Sequence, residues 1–403
     1  MAKIATAGEG WYLTEEEWLL KQNLRELVEK EIAPRFKENY TEETADKFYK
    51  EAMQKLGEAG FLRVGVAEEL GGLGMRLTAL LIVTEEVTRG NGALGIHAME
   101  NQLLGSTMAV AAPKAWERWG EGIMDGTYIY GASITQPEGN GNMCAWKPIG
   151  VQQEDGSWIL NGEKAFGSGL TFADVFTITG LGLTNKGEVK MCKWNFSKEE
   201  EHPGLTIHHN PEVGCSPTYA SLTMKDVYVP AEYGGFSPAP GSPEDAQAGA
   251  IGYKAFAVCC AALAMGTMSA AWDKTVEYLS NRESWGKKVI EYGAIQAKLV
   301  DMKCRMEAAR SMMYTAARMI ETLHKDAPAW ADMTKIFVCD TARQITDECV
   351  QMHGAVGINP DSGIARHHLD AMCFGVGVGT SDLHYPCAAE ELGFPNSDDL
   401  NRT

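Results

Sequence analysis

The sequence predicts an α+β protein in which a helical region, a β domain and a second helical region follow one another. Apolar residues recur at helical spacing before about residue 130, as in Leu24, Leu27 and Ile32. Between about residues 131 and 240 the pattern changes to short β-type runs, and long helical stretches return after Gly252. The chain of 403 residues is long enough for two or three packed units. We predict a helical domain at 1–130, a β domain at 131–242 and a helical bundle at 243–403.

The first region carries clear signals for the ends of its helices. Thr14-Glu-Glu-Glu17 has the form of a capping box, which starts a helix, and Pro34 predicts the end or a bend of that helix. A glycine-rich turn, Glu69-Leu-Gly-Gly-Leu-Gly74, then separates this part from the apolar stretch Leu77–Val87.

Four short runs of β-branched and aromatic residues, separated by Asn, Gly and Pro, predict the strands of the middle region. They are Trp158–Leu160, Val175–Thr179, Leu205–Ile207 and Val227–Val229. The stretch Phe236–Ala248 is rich in Pro, Gly and Ser, and it predicts a linker or a loop excursion.

Composition excludes several classes of protein. The net charge of −18 argues against nucleic acid as a partner, because binding to nucleic acid requires an excess of basic side chains that neutralise its phosphates. The apolar run Ala255–Met265 is too short to span a bilayer, and the acidic N-terminus does not resemble a secretory signal, so we expect a cytoplasmic protein. The ten cysteines lack C-x-x-C spacing, which predicts buried free thiols and no metal site.

Six motifs occur in order along the chain and carry a resemblance to a known family. They are Glu69–Gly74, Thr135–Gly141, Asn161–Ser168, Lys225–Pro230, Arg282–Gly286 with Gln296, and Gln351–Gly357. In order and spacing these motifs resemble those of the acyl-CoA dehydrogenase family. The resemblance implies an N-terminal helical domain, a central β-barrel or sandwich and a C-terminal four-helix bundle, with FAD as cofactor.

The resemblance also implies which residues hold the cofactor. Small hydroxyl side chains suit the polar edge of a flavin, and an arginine with close backbone approach at glycines suits its pyrophosphate. Thr135 and Ser168 are expected to contact the flavin, with Phe166 packing on it where the family usually has Trp. The full expected set of cofactor-binding residues is Thr135, Phe166, Ser168, Arg282, Trp285, Gln296, Gln351, Gly354, Gly357 and Thr380.

The family shares its sites between subunits, so the resemblance further implies a homo-oligomer, usually a tetramer built through the C-terminal helices. An acyl-CoA or related acyl compound is the expected substrate. Electron-transferring flavoprotein is the expected electron acceptor, with dioxygen as the alternative.

The family's usual catalytic base is missing from this chain. In most members it is the Glu of a Y-E-G-T turn, and Gly377-Val-Gly-Thr380 stands there instead, with Val378 in place of the Glu. The alternative family position falls near Phe256, which cannot accept a proton. The stretch Gly252–Ala257 also lacks the L-D-x-x-R pattern that helps to hold the substrate, which weakens the inference of a CoA thioester.

A replacement base is expected elsewhere. Glu100 lies on a first-region helix that lines the deep end of the acyl pocket in family members. A carboxylate in an apolar pocket has a raised pKa and becomes a competent base near neutrality. A glutamate that faces solvent or pairs on its own helix is the alternative interpretation. Asp382 is the next candidate, and the adjacent His367 and His368 are weaker ones.

The sequence thus predicts an FAD-dependent dehydrogenase, or a reductase in the reverse direction, with a displaced base and an unusual acyl substrate, such as an alicyclic or dicarboxylic one. Two other functions remain open. One is a base-independent reaction on the same fold, by a desulfinase, lyase or flavin oxidase. The other is an inactive subunit that stabilises an active partner.

Overall fold

The computed structural model describes residues 12–35, 42–138, 145–210, 219–237 and 252–395. The chain forms two compact units, each drawn from separate stretches. One comprises Met1–Phe36, Leu81–Gly95 and Ala257–Leu392, and the other comprises Lys37–Leu80, Ile96–Phe256 and Gly393–Thr403. The predicted division at residues 130 and 242 stays a prediction.

The first helix, α1, spans Glu15–Leu27 and begins at the predicted capping box. The Glu17 N–H donates to Thr14 Oγ1 at 3.2 Å, and the Thr14 N–H donates to Glu17 Oε2 at 2.8 Å, so two free amides at the helix start are satisfied. A π-helical turn at Val28–Ile32 follows and ends just before Pro34, as predicted.

Four more helices complete the first region: α2 (Glu42–Glu58), α3 (Arg76–Gly90), α4 (Gly92–Ala111) and α5 (Pro113–Met124). The glycine turn before α3 is confirmed. Gly71 has φ 91°, and a Cβ on Gly72 would lie 2.0 Å from the Val66 carbonyl oxygen, so a side chain does not fit there.

The middle region is an eight-stranded sheet. Its strands are β1 (Tyr130–Ser133), β2 (Pro148–Gln152), β3 (Trp158–Ser168), β4 (Val175–Leu183), β5 (Val189–Ser197), β6 (Leu205–His209), β7 (Tyr219–Val229) and β8 (Gly234–Phe236). The order is β6-β7-β3-β1-β4-β5-β8, and β2 also pairs with both β3 and β4. Strands β1 and β2 therefore both lie between β3 and β4. Buried side chains of β2, β3, β4, β5 and β7 form a core around Trp158 and Trp194, whose ring centres are 5.5 Å apart in an edge-to-face arrangement.

The second helical region contains α6 (Tyr253–Asn281), a two-stranded hairpin of β9 (Glu283–Ser284) and β10 (Lys287–Lys288), α7 (Gly293–Glu321) and α8 (Ala327–His353). The short α9 (Ala355–Ile358), α10 (Ile364–Val376) and α11 (Ser381–Glu391) follow. Helix α8 packs against α7, α10 and α11. These long helices account for the return of helical periodicity in the sequence.

The α+β class and the order of helices, sheet and helices are confirmed. All four predicted β-type runs lie within strands. The predicted linker is wrong at its start, because Phe236 ends strand β8, and residues 238–248 lie outside the described part.

Two smaller expectations need correction. The apolar segment that begins at Ala255 is longer than expected, because Lys254–Asn281 forms one helix that is long and apolar enough to cross a membrane. However, 89% of its most apolar window is buried, as in a helix at the core of a folded domain. Cys304 is exposed rather than buried, whereas Cys192, Cys259 and Cys339 are buried free thiols as expected.

Candidate active site

Glu100 is a buried carboxylic acid in the middle of helix α4. Its side chain is only 3% exposed and is flanked by the buried Met99 and Leu103. Ser168 donates its hydroxyl hydrogen to Glu100 Oε1, while Oε2 has no hydrogen-bond donor within the described residues. Burial raises the pKa of Glu100 to about 8, and the Ser168 hydrogen bond opposes that shift. The expected buried position of Glu100 is therefore found, and the solvent-facing alternative is not.

His97 lies one helical turn before Glu100, and its Nδ1 is 3.9 Å from Glu100 Oε2. The ring is fully buried against Phe172, and neither ring nitrogen makes a well-formed hydrogen bond in the described part of the chain. Burial lowers the pKa of His97 to about 4, with the Tyr130 backbone opposing the shift, so the imidazole is neutral at pH 7. His97 therefore places no positive charge beside Glu100.

Glycine is required where strand β3 ends beside this histidine. A Cβ on Gly169 would lie 2.7 Å from His97 Cε1, and Gly169 has φ 69°, in the left-handed region. The tight turn lets the chain pass close to the imidazole and brings Ser168 to Glu100.

The predicted flavin contacts Phe166 and Thr135 lie close to each other at the end of β3. The Ala165 N–H donates to the Thr135 carbonyl oxygen at 3.0 Å, and a register irregularity between Lys164 and Gly167 turns Phe166 out of the ladder. Phe166 has φ 52° and is 62% exposed, which leaves its ring available to a planar partner. The residues at 139–141 of the same predicted loop lie outside the described part.

Lys164 supports this corner of the sheet. Its Nζ donates to the Ile134 carbonyl oxygen at 2.6 Å and lies 4.5 Å from the centre of the Trp146 ring. Burial lowers the pKa of Lys164 to about 7, although Glu138 opposes the shift. The main chain beside Thr135 is therefore anchored by a buried amine.

In the other unit, the hairpin after α6 carries Arg282 and Trp285. Trp285 sits at the hairpin tip with φ 53° and is 96% exposed, and the Arg282 side chain is also exposed. The Tyr292 hydroxyl donates to the Ser284 carbonyl oxygen at 2.8 Å, which ties the hairpin to the start of α7, where Gln296 lies.

The structure brings Gln351 and Gly354 near the base of this hairpin. Tyr278, one helical turn before Arg282, stacks on His353 with ring centres 4.3 Å apart. Gly354 has φ 59°, and a Cβ at this position would have no neighbouring atom within 4 Å, so its backbone is open to a ligand. Gly357, in contrast, is buried and packs against the Val350 carbonyl. An exposed arginine with open glycine backbone is the donor set that suits a pyrophosphate.

The turn that lacks the usual base joins α10 to α11. Val378 has φ 58°, Gly379 has φ 99°, and Thr380 is the residue before α11. Asp382, the second candidate base, is exposed in the first turn of α11. A solvated carboxylate lacks the apolar surroundings that suit a general base near neutrality, so the environment favours Glu100 over Asp382.

The adjacent histidines point to different partners, as expected for neighbours on a helix. His367 Nδ1 lies 3.1 Å from Thr267 Oγ1, and His368 Nδ1 lies 3.0 Å from Thr346 Oγ1. They do not form a joint proton carrier.

Sequence reasoning missed three side chains at these sites. His97 was detectable, because it lies three residues before Glu100 on the same helix. Asp332 and His384 are 52 residues apart in the chain and form a buried pair, so no local pattern could have indicated their contact.

Comparison with known proteins identifies the family. Residues 14–127 match the N-terminal domain of acyl-CoA dehydrogenases, and residues 253–393 match the C-terminal domain. The chain belongs to the acyl-CoA dehydrogenase family. Members are FAD-dependent oxidoreductases that act on CH–CH bonds, so the resemblance stated from the motifs is confirmed.

Individual relatives cover almost the whole chain. A 3-(aryl)acrylate reductase from Clostridium sporogenes is 28% identical over 94% of this chain and 99% of its own length. A cyclohex-1-ene-1-carbonyl-CoA dehydrogenase from Syntrophus aciditrophicus is 28% identical over 95% of this chain and 91% of its own. The structure of butyryl-CoA dehydrogenase from Megasphaera elsdenii has a TM-score of 0.80 at 23% identity, over 94% of this chain and 98% of that one, and it shows the shared fold.

Three of the predicted site residues have a strained backbone. Six non-glycine residues in the described part have positive φ: Phe166, Trp285 and Val378 at predicted positions, and Arg76, Asp226 and Leu323 elsewhere. Bulky side chains in this conformation cost about 1–3 kcal/mol and persist where the surrounding structure holds them.

Proposed function

We propose that this family member exchanges a proton between Glu100 and a carbon of an unusual acyl substrate that is remote from the carbonyl group, as in a ring or a conjugated chain. One observation carries the proposal: Glu100 is a buried carboxylic acid with one oxygen bonded to Ser168 and the other, Oε2, lacking a donor within the described residues. Val378, at the family's usual base position, cannot transfer a proton. A base or acid is required for this class of reaction.

The residues present fit an FAD. The exposed Phe166 ring and the Thr135 and Ser168 hydroxyls would hold the flavin, and the open Gly354 backbone with the exposed Arg282 would hold the pyrophosphate. Gln296, Gln351, Gly357, Thr380 and Trp285 complete the proposed set. When bound, the cofactor supplies hydride chemistry at a C–C bond.

The protonation state of Glu100 sets what the site does at neutral pH. With a pKa of about 8, the carboxyl is mostly protonated at pH 7 and is poised to donate a proton, as reduction of a C=C bond requires. The minor carboxylate form is the base that dehydrogenation requires. Because Glu100 is only 3% exposed, either proton-transfer step is shielded from bulk water.

A ring-bearing or conjugated acyl group is the proposed substrate class. The relatives from Clostridium sporogenes and Syntrophus aciditrophicus are named for an aryl-substituted and an alicyclic substrate, which supports this choice over a long linear chain. In such substrates, the carbon that loses a proton in dehydrogenation, or accepts one in reduction, lies farther from the carbonyl group than the reacting carbon of a linear acyl chain does. This suits a proton carrier at a position other than residue 378.

The assembly and partners are part of the same proposal. Trp285 is 96% exposed and Val376 on α10 is 62% exposed, which favours a homo-oligomer, most simply a tetramer, in which these apolar surfaces are covered. Electron-transferring flavoprotein is the proposed redox partner, and the cytoplasm the proposed location. A CoA thioester is the proposed form of the substrate.

The test is a panel of acyl thioesters mixed anaerobically with the purified yellow protein. Alicyclic and aryl-propanoyl thioesters should bleach the flavin absorbance faster than butyryl- or octanoyl-CoA. In the reverse direction, the corresponding enoyl compounds should reoxidise the reduced flavin faster than crotonyl- or octenoyl-CoA. If linear saturated thioesters bleach the flavin faster than the alicyclic and aryl compounds do, the result would contradict a relocated proton carrier. A protein without flavin would contradict the cofactor assignment.

A further inference from the structure

A buried aspartate–histidine pair holds the turn that contains Val378. Asp332 lies on α8 and His384 on α11, and their side chains are 0% and 1% exposed. His384 Nδ1 is 2.8 Å from Asp332 Oδ1, and His384 Nε2 is 3.1 Å from the Val378 carbonyl oxygen. The imidazole therefore connects a side chain of α8 to the main chain of the turn.

Hydrogen-bond chemistry fixes the protons of this pair. A carbonyl oxygen only accepts, so His384 Nε2 must carry a hydrogen and donate it to Val378. The 2.8 Å contact on the other side then needs a second proton between Nδ1 and Asp332 Oδ1, as imidazolium with carboxylate or as imidazole with carboxylic acid. In both forms the pair has no net charge, which is the condition that burial favours.

The turn needs such a restraint because Val378 is strained. A β-branched residue rarely adopts a φ of 58°, and it leaves this region unless its surroundings prevent it. The segment just before the turn is also held, because the buried Lys335 donates to the carbonyl oxygens of Phe374 and Gly375, each at 3.0 Å. Helix α8 takes part in both restraints, directly through Lys335 and, for the turn, through the bond of Asp332 to His384 on α11.

We infer that Asp332 and His384 are positioning residues that keep the main chain of residue 378 in its left-handed conformation. The turn then keeps its backbone shape, while the side chain at 378 performs no proton transfer. The restraint on the main chain of residue 378 is independent of the reaction that the protein performs. Only the expected effect of this restraint on the rate rests on the proposed function.

The restraint is tested by hydrogen–deuterium exchange with mass spectrometry on the holoenzyme. His384→Leu keeps the bulk and removes both hydrogen bonds, so amides in 376–384 should exchange at least about tenfold faster. His384→Gln keeps an N–H donor for the Val378 carbonyl and should restore most of the protection. The matched control is His202→Leu, which removes a similar contact of 2.8 Å between a ring nitrogen and the Ser197 carbonyl oxygen.

A double-mutant cycle tests whether the pair works by holding a strained residue. Glycine adopts a φ of 58° without strain, so Val378→Gly makes the restraint less necessary. His384→Leu should slow anaerobic flavin reduction by about tenfold or more when Val378 is present, but by less than about threefold in the Val378→Gly background. The effect should lie in the rate constant at saturating substrate, with KM little changed.

The outcomes are distinct. Unchanged exchange in 376–384 of His384→Leu, or equal slowing in both backgrounds, would overturn the inference. If His384→Leu unfolds globally, Asp332→Asn, which weakens the support of the imidazole, takes its place, and faster exchange in 376–384 of Asp332→Asn than in His384→Gln is then the expected result. A wild-type protein that turns over no acyl thioester would refute the proposed function while leaving the exchange result to decide the positioning role.

Discussion

Ser168 donates its hydroxyl hydrogen to Oε1 of Glu100, which joins the last residue of β3 to the middle of α4. The two residues were expected at the site for different reasons, Ser168 as a flavin contact and Glu100 as a displaced base. Their hydrogen bond places both side chains in one buried cluster. As a flavin contact, Ser168 would link the proposed proton carrier to the cofactor.

The first prediction concerns the role of Glu100. Glu100→Gln keeps the shape of the side chain and removes its ability to exchange a proton, so flavin reduction by substrate should slow by about 10²–10⁴-fold. FAD content and thermal stability should stay close to those of the wild type. Stopped-flow absorbance under anaerobic conditions measures the rate.

Glu163→Gln is the matched control, because it changes a carboxylate on the same strand as Ser168 without touching Glu100. Its rate should stay within about twofold of the wild type. Wild-type rates in Glu100→Gln would move the search for the proton carrier to Asp382.

The second prediction is the pH dependence. Because the pKa of Glu100 is about 8, dehydrogenation through the carboxylate should speed up about tenfold per pH unit until about pH 8 and then level off. Reduction through the protonated acid should instead be constant below about pH 8 and fall above it. Single-turnover rates across this range distinguish the two directions.

Ser168→Ala tests the cause of that pKa. The hydrogen bond from Ser168 lowers the pKa of Glu100, so its removal should shift the profile to higher pH. Ser133→Ala, a buried hydroxyl on β1 without a bond to Glu100, should leave the profile in place. A shift in the opposite direction would show that the profile reports another group.

Local signals in the sequence predicted the fold well, and long-range contacts explain what was missed. The capping box at Thr14 and the strand that ends at Ser168 follow from adjacent residues, whose preferences are local. The bond from Ser168 to Glu100 joins residues 68 positions apart and depends on how β3 ends. His384 was missed for the same reason, since its partner Asp332 lies on another helix.

The third prediction concerns cofactor retention. Arg282 is exposed and is expected to act with the open Gly354 backbone, so Arg282→Ala should weaken FAD binding by about tenfold or more through loss of a charge-assisted phosphate contact. Ultrafiltration followed by absorbance of the released flavin measures the affinity. Arg305→Ala, on α7, removes an arginine that bonds Asp301 on its own helix and should leave FAD affinity unchanged.

The fourth prediction is about stability and uses a buried ionic cluster that joins α1, α3 and α7. Glu85 is 1% exposed and contacts Lys21 Nζ at 3.1 Å, Arg310 Nε at 3.1 Å and the Tyr314 hydroxyl at 2.8 Å. Burial would raise the pKa of Glu85, but Lys21 and Arg310 outweigh it and hold the pKa well below 4.5. Glu85→Gln should lower the free energy of unfolding by about 1.5–3 kcal/mol, because Lys21 and Arg310 each lose one charged partner while they keep Glu86 and Glu307.

The sign of the pH effect follows from the lowered pKa of Glu85. Its stabilising contribution is present above the unfolded value near 4.5 and is lost as the pH falls below it. The wild type should therefore lose more stability than Glu85→Gln when acidified through this range. Glu26→Gln, which breaks an exposed pair with Lys30, should leave the free energy of unfolding close to that of the wild type.

The last prediction restores a carboxylate at the usual family position. Val378→Glu places an acid on a turn whose backbone is held by His384, so the turn should keep its shape and FAD content should stay unchanged. If Glu100 carries the proton, the new charge supplies no missing function, and turnover of the native ring-bearing substrate should stay level or fall. Activity on linear saturated acyl-CoA should rise instead, because the usual α-proton then has a base.

Steady-state assays with both substrate classes decide the question, and Val378→Gln, which adds similar bulk without a base, is the control. A rise of turnover on the native substrate in Val378→Glu, but not in Val378→Gln, would show that the chemistry still requires a base at residue 378.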